Sequence, residues 1–120
     1  MDNGKLRLWP YKKATILEIY RSGELALLDI NTVLASLYQT SEPPYLIIIV
    51  RTGNYRLSFE AKIRLLKEKR ERFKIAYVVK EPKTMQHAFH ASRTYLKRKD
   101  VYICDSIDSA YKALTAASGV

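Results

Sequence analysis

Very little in this sequence points to catalysis, to metal binding or to a membrane span. It has one cysteine, Cys104, so no disulfide can close within the chain, and a reducing, cytoplasmic setting is the expectation. Four glycines and four prolines among 120 residues are too few for a linker, a fibrous repeat or a low-complexity segment. The two histidines, His87 and His90, lie three apart, but no third ligand follows at nearby spacing, so no metal is expected. There is no glycine-rich phosphate loop, no G-x-S-x-G elbow and no C-x-x-C, and no cofactor or catalytic residue is implied. The longest uninterrupted apolar run, Tyr45 to Val50, falls far short of the roughly 20 residues that cross a bilayer. Met1 to Pro10 has no apolar core of the kind a signal peptide needs, so a soluble protein is expected. Acidic residues are also scarce, 12 against 21 Lys and Arg, which leaves a net charge of +9.

What is present reads as one α/β domain over residues 1–117, with a loose tail at 118–120. The hydrophobic fraction, 48%, is enough for a core at this length, since such a chain buries roughly two thirds of its unfolded surface. Tyr45 to Val50 is apolar on both faces and β-branched, as a central strand should be; Ile75 to Val79 and Val101 to Cys104 are two more strands. Period-two alternation over Lys5–Trp9 and Ala14–Tyr20, separated by Pro10 to Lys13, predicts an N-terminal hairpin. Four helices alternate with the later strands. One starts after Asp29, read as its N-cap, and carries Ile30, Val33, Leu34 and Leu37. A second follows Ser58 with Phe59, Ile63, Leu66 and Phe73 as its apolar positions; a third spans Thr84 to Lys97; a fourth follows Asp105-Ser106. Leu25 to Leu28 fits helix or extended chain equally. Parallel strands joined by right-handed crossovers then give a mixed, mostly parallel sheet.

Charge concentrates in Lys62 to Lys74, seven basic residues and two acidic ones. Glu60/Arg64, Arg64/Glu68, Lys67/Glu71 and Glu68/Arg72 are opposite charges four apart, the pattern of a solvated helix face, which is favoured over a phosphate-backbone footprint. Lys62, Arg64, Lys67, Lys69 and Arg70, with Arg93, Lys97 and Arg98 on the next helix, make a basic face suited to an acidic protein or an anionic membrane surface. Aromatic residues do not interleave with these charges, which disfavours nucleic acid. Glu60-Ala61-Lys62 has the E-x-K spacing of a metal-dependent nuclease, but it opens a helix and the preceding strand offers no Asp. Cys104, at a strand end, is read as a structural thiol. Tyrosine is overused; Tyr77, Tyr95, Tyr102 and Tyr111 read as core residues whose hydroxyls reach the rim, with an apolar ligand cleft as the alternative.

Residues Ile75 to Pro82, the amphipathic stretch through Leu96, and Val101 to Leu114, in which Asp105, Ala110 and Leu114 stand at the family's positions, resemble the C-terminal half of STAS domains. More particularly, they resemble the SpoIIAA-like STAS/SEC14 proteins of bacteria. Leu8-Trp9, the strand end at Tyr20 to Gly23, Leu28-Asp29-Ile30 and Tyr45 to Val50 extend the likeness to the N-terminal half. The resemblance implies a non-enzymatic regulatory domain acting through protein contacts. It places the family's phospho-acceptor serine at Ser58, although Leu57 and Phe59 replace the family's flanking residues and leave an ordinary N-cap as the simpler reading. Its SEC14-like branch implies a carrier of an apolar ligand around Met85, Phe89 and Tyr95.

Overall fold

The computed structural model describes residues 1–51, 55–68, 72–78 and 102–117. Strands β1 (Leu6–Tyr11) and β2 (Ala14–Ile19) form the expected hairpin, followed by β3 (Gly23–Leu25) and α1 (Leu27–Thr40). Then come β4 (Tyr45–Arg51), β5 (Tyr55–Leu57), α2 (Phe59–Leu66), β6 (Phe73–Val78), β7 (Tyr102–Cys104) and α3 (Ile107–Ala117). Five strands make a mixed sheet in the order β1-β2-β4-β6-β7, antiparallel between β1 and β2 and parallel thereafter. Three helices lie among the described residues; the helix expected over 84–97 and the tail 118–120 lie outside them.

The sheet is a two-sided partition, and its strands explain why. In β4, Tyr45, Ile47 and Ile49 face one core, while Leu46 and Ile48 face the other. A strand buried on both faces needs an unbroken apolar run, which Tyr45 to Val50 supplies. The first core is roofed by α1 through Ile30, Val33, Leu34 and Leu37, and by α2 through Ala61. The crossovers from β2 to β4 and from β4 to β6 step in the same direction, so right-handed connections place α1 and α2 on one face. Helix α3 follows the edge strand and packs Ala110 and Leu114 onto the opposite face. Its N-cap is Ser106, whose Oγ accepts the Ser109 backbone N–H at 3.1 Å.

Three expectations need correction, and one open reading, the second below, is resolved. The hairpin turn is only Lys12-Lys13, with Tyr11 opposite Ala14 and Lys12 in the left-handed region at φ 54°. Pro10 therefore belongs to β1, where it is tolerated because this is an edge strand and needs no outward N–H. The same edge is blunted at Leu8, whose N–H donates to the Met1 carbonyl at 2.8 Å and whose carbonyl accepts from the N-terminal ammonium at 3.1 Å. Second, the ambiguous Leu25–Leu28 divides: Leu25 ends β3, which pairs in parallel with β5 as a separate two-stranded sheet, and Leu27-Leu28 open α1.

Third, Asp29 is not the N-cap of α1. Ala26 is, and Asp29 sits at the third helical position, where its carboxylate reaches back to accept the Ala26 N–H at 2.8 Å. It also accepts from Asn3 Nδ2 at 2.9 Å and pairs with Lys5 Nζ at 3.1 Å. Burial would raise its pKa, but the Ala26 N–H, Lys5 and Asn3 outweigh that and hold the carboxyl below its ordinary value. Fourth, α2 stops at Leu66 and Phe73 begins β6, so the basic run Lys62 to Lys74 does not lie on one helix. Phe73 instead alternates with Ile75 and Tyr77 toward the first core and packs on the Tyr45 ring, 5.3 Å between centroids.

Candidate functional site

The short parallel pair β3/β5 sets where α2 begins. Leu57 lies opposite Leu25, and the next backbone N–H, that of Ser58, donates to the Leu25 carbonyl at 3.0 Å. Ser58 keeps an extended conformation, and its Oγ accepts the Ala61 N–H at 3.1 Å, satisfying one of the helix's orphan donors. The hydroxyl is thus a half-buried N-cap on the rim of the molecule.

The direction in which α2 faces is the least expected feature of the site. Ala61, fully buried, and Leu65, four residues on, are the positions that meet the first core. Phe59, Ile63 and Leu66, also at helical spacing, point about 140–160° away from Ala61 around the helix axis. Their exposures are 72%, 38% and 45%, so the apolar stripe legible in the sequence is the outward one. The same geometry separates Glu60 from Lys62: two residues apart on a strand would share a face, but on this helix they diverge around Ala61.

Beyond the helix end, Glu68 ties α2 to α1. Its carboxylate accepts the Tyr38 hydroxyl with one oxygen and pairs with the Arg64 guanidinium through the other, which realises one of the expected pairs four apart. Burial, and then the hydrogen bond to Glu68, push the Tyr38 phenol up to about 12. Arg64 is therefore held by an acid of its own chain, Lys67 is the exposed C-cap residue of α2, and Lys62 is half-buried beside the stripe. Lys69, Arg70, Arg93, Lys97 and Arg98 lie outside the described residues, as do Met85, Phe89 and Tyr95, and His87 and His90.

Between the sheet and the roof of α1 and α2 lies a cavity of about 120 Å³. Its lining is largely aliphatic, with Val33, Leu34 and Leu37 of α1 above Ile47, Ile49 and Ile75 of the sheet, and Tyr55, Tyr77 and Glu68 the lining residues that carry polar side-chain atoms. Tyr77, for which an apolar cleft is the alternative reading, is among the lining residues; the aliphatic ones carry no such signal in the sequence, because apolar side chains lining a gap have the same periodicity as those filling a core. Of the tyrosines read as core, Tyr77 is buried and Tyr102 and Tyr111 are half-buried, while Tyr95 lies outside the described residues. Cys104 is half-buried on β7; burial, reinforced by the Asp105 charge, raises its thiol pKa and keeps it protonated at neutral pH. Among the described residues no three His, Cys, Asp or Glu side chains cluster as a metal site, and no helix is long and apolar enough to cross a membrane.

The fold identifies the architectural class. An uncharacterised protein of the DUF3478 family with a SpoIIAA-like fold, from Shewanella loihica, superposes on this chain with a TM-score of 0.60 at 14% sequence identity, covering 91% of each chain. This chain has a SpoIIAA-like fold, as its sequence resemblance implied. No protein-family model matches it, and no curated protein does.

Proposed function

We propose that this protein is a cytoplasmic, non-catalytic regulatory domain of STAS type, one domain over residues 1–117, which acts by binding a protein partner. The observation that carries this reading is Ser58, set at the N-cap of α2 in a SpoIIAA-like fold. A phosphate there would stand among the orphan N–H groups of a helix N-terminus and change the charge of the neighbouring surface by nearly two units. Lys62, Arg64 and Lys67, with Lys69, Arg70, Arg93, Lys97 and Arg98, would supply the basic docking face for an acidic partner. Incubation with ATP and a serine kinase of the anti-sigma type is expected to add one phosphate, located at Ser58 by mass spectrometry and absent from Ser58→Ala. No phosphate on Ser58 would overturn the switch. Ser58→Ala should also lower the unfolding free energy by about 1 kcal/mol through the lost cap, whatever the role of the hydroxyl, so stability is not the readout.

The aliphatic cavity favours a second reading, a sensor or carrier of an apolar ligand. Its volume suits a benzene-sized molecule rather than a whole acyl chain. A small aromatic should raise the melting temperature of the wild type, and Val33→Phe, which fills the space, should abolish the shift. An unchanged melting temperature in the wild type would dismiss the cavity as a site.

A further inference from the structure

The outward side of α2 carries an inference beyond the partner reading. Phe59, Ile63 and Leu66 form an exposed apolar ridge along two turns, and Leu28 of α1, 75% exposed, lies at the same end because β3 and β5 launch both helices in register. The three α2 side chains present on the order of 300 Å² of apolar area. Two copies meeting face to face across it would bring lysine-edged ridges of like charge together, which argues against a second copy of the chain. Basic side chains border the ridge: Lys62 and Lys67 on its flanks and exposed Arg56 just ahead of it, with Glu60 the exposed acid of the helix. The whole chain adds its excess of +9. An apolar ridge edged by lysines on a basic protein matches a surface that is apolar just beneath an anionic layer, which is the headgroup boundary of an anionic bilayer.

We propose that α2 docks on anionic lipid surfaces, with Phe59, Ile63 and Leu66 entering the headgroup boundary while Lys62, Lys67 and Arg56 meet the lipid charge. The unphosphorylated protein, with no kinase or partner present, is to be co-sedimented with vesicles of phosphatidylcholine alone or mixed with phosphatidylglycerol. Binding is expected only to the anionic vesicles, and should weaken about tenfold between roughly 0.05 and 0.5 M salt. Phe59→Ser combined with Leu66→Ser, at positions whose exposure leaves the core intact, should lose binding by about tenfold with an unchanged urea midpoint. Lys67→Glu should lose less. Failure of the wild type to sediment with the anionic vesicles, or full binding by the double variant, would overturn the proposal. So would a concentration-dependent dimer in sedimentation velocity that the double variant abolishes, since that assigns the ridge to a second copy. None of these outcomes bears on phosphorylation of Ser58, so the two readings fail separately.

Discussion

Ile48→Ala is expected to lower the unfolding free energy by about 3 kcal/mol, well inside the range for cutting a fully buried aliphatic side chain back to its Cβ. Ile48 is fully buried at the middle of β4, the central strand, with Ile16 on one side in register and Ala76 on the other. Ala110 and Leu114 of α3 close over the same cluster. Truncation removes three carbons from a site whose neighbours belong to paired strands, so the gap cannot collapse and a cavity cost adds to the lost transfer energy. Ile63→Ala makes the same chemical change on the exposed ridge and should shift stability by no more than about 0.5 kcal/mol. Urea titrations of the two variants, read as midpoints at constant slope, test the contrast directly. Equal losses would mean that α2 turns its ridge inward.

Asp29→Ala should cost about 2 to 3 kcal/mol, because it strips a buried acceptor from the Ala26 N–H and leaves Lys5 and Asn3 without their shared partner. Most of that loss belongs to the cap and the buried hydrogen bonds, since Lys5 is 45% exposed and its ion pair is screened by solvent. The carboxyl has a lowered pKa in the folded state, so its contribution is fully present above its unfolded pKa of about 4. It fades as the pH falls through the folded value. Stability measured from pH 6 downward should therefore drop in the wild type by an increment that Asp29→Asn lacks. Parallel curves for the two proteins would show that Asp29 is not held in this network.

The elements that could be read without coordinates are those in which side-chain chemistry alone decides the outcome. Tyr45 to Val50 is apolar at every position, short, rich in β-branched residues and flanked by Pro43-Pro44 and Gly53, which together select a strand covered on both faces; the structure puts Tyr45, Ile47 and Ile49 under α1 and Ile48 under α3. Ser58 is legible as a cap because its hydroxyl can accept an N–H three residues on, a bond between near neighbours in the chain, which the pairing of β3 with β5 then reinforces. Asp29 shows the limit of that logic. A cap and a third-position carboxylate serve the same orphan donors from either side of the helix start, and only the pairing of β3 with β5, together with Asn3 and Lys5, selects one.

Local spacing and composition were enough to establish the strands of the main sheet among the described residues, its antiparallel start, the cap at Ser58 and the excess of positive charge, but not the short strands β3 and β5. The direction in which α2 faces was settled only by tertiary packing. Phe59, Ile63 and Leu66 and the pair Ala61 and Leu65 have equally helical spacing, and the larger set would win on hydrophobic burial alone. The Ser58 N–H to Leu25 carbonyl bond fixes the start of the helix, and small Ala61 then allows close approach to the sheet. Phe73 was decided in the same way: its place seven residues after Leu66 suits a helix, and its alternation with Ile75 and Tyr77 suits a strand. Pairing with Tyr45 on β4 settled it, because backbone partners across a sheet are contacts that no window of sequence contains.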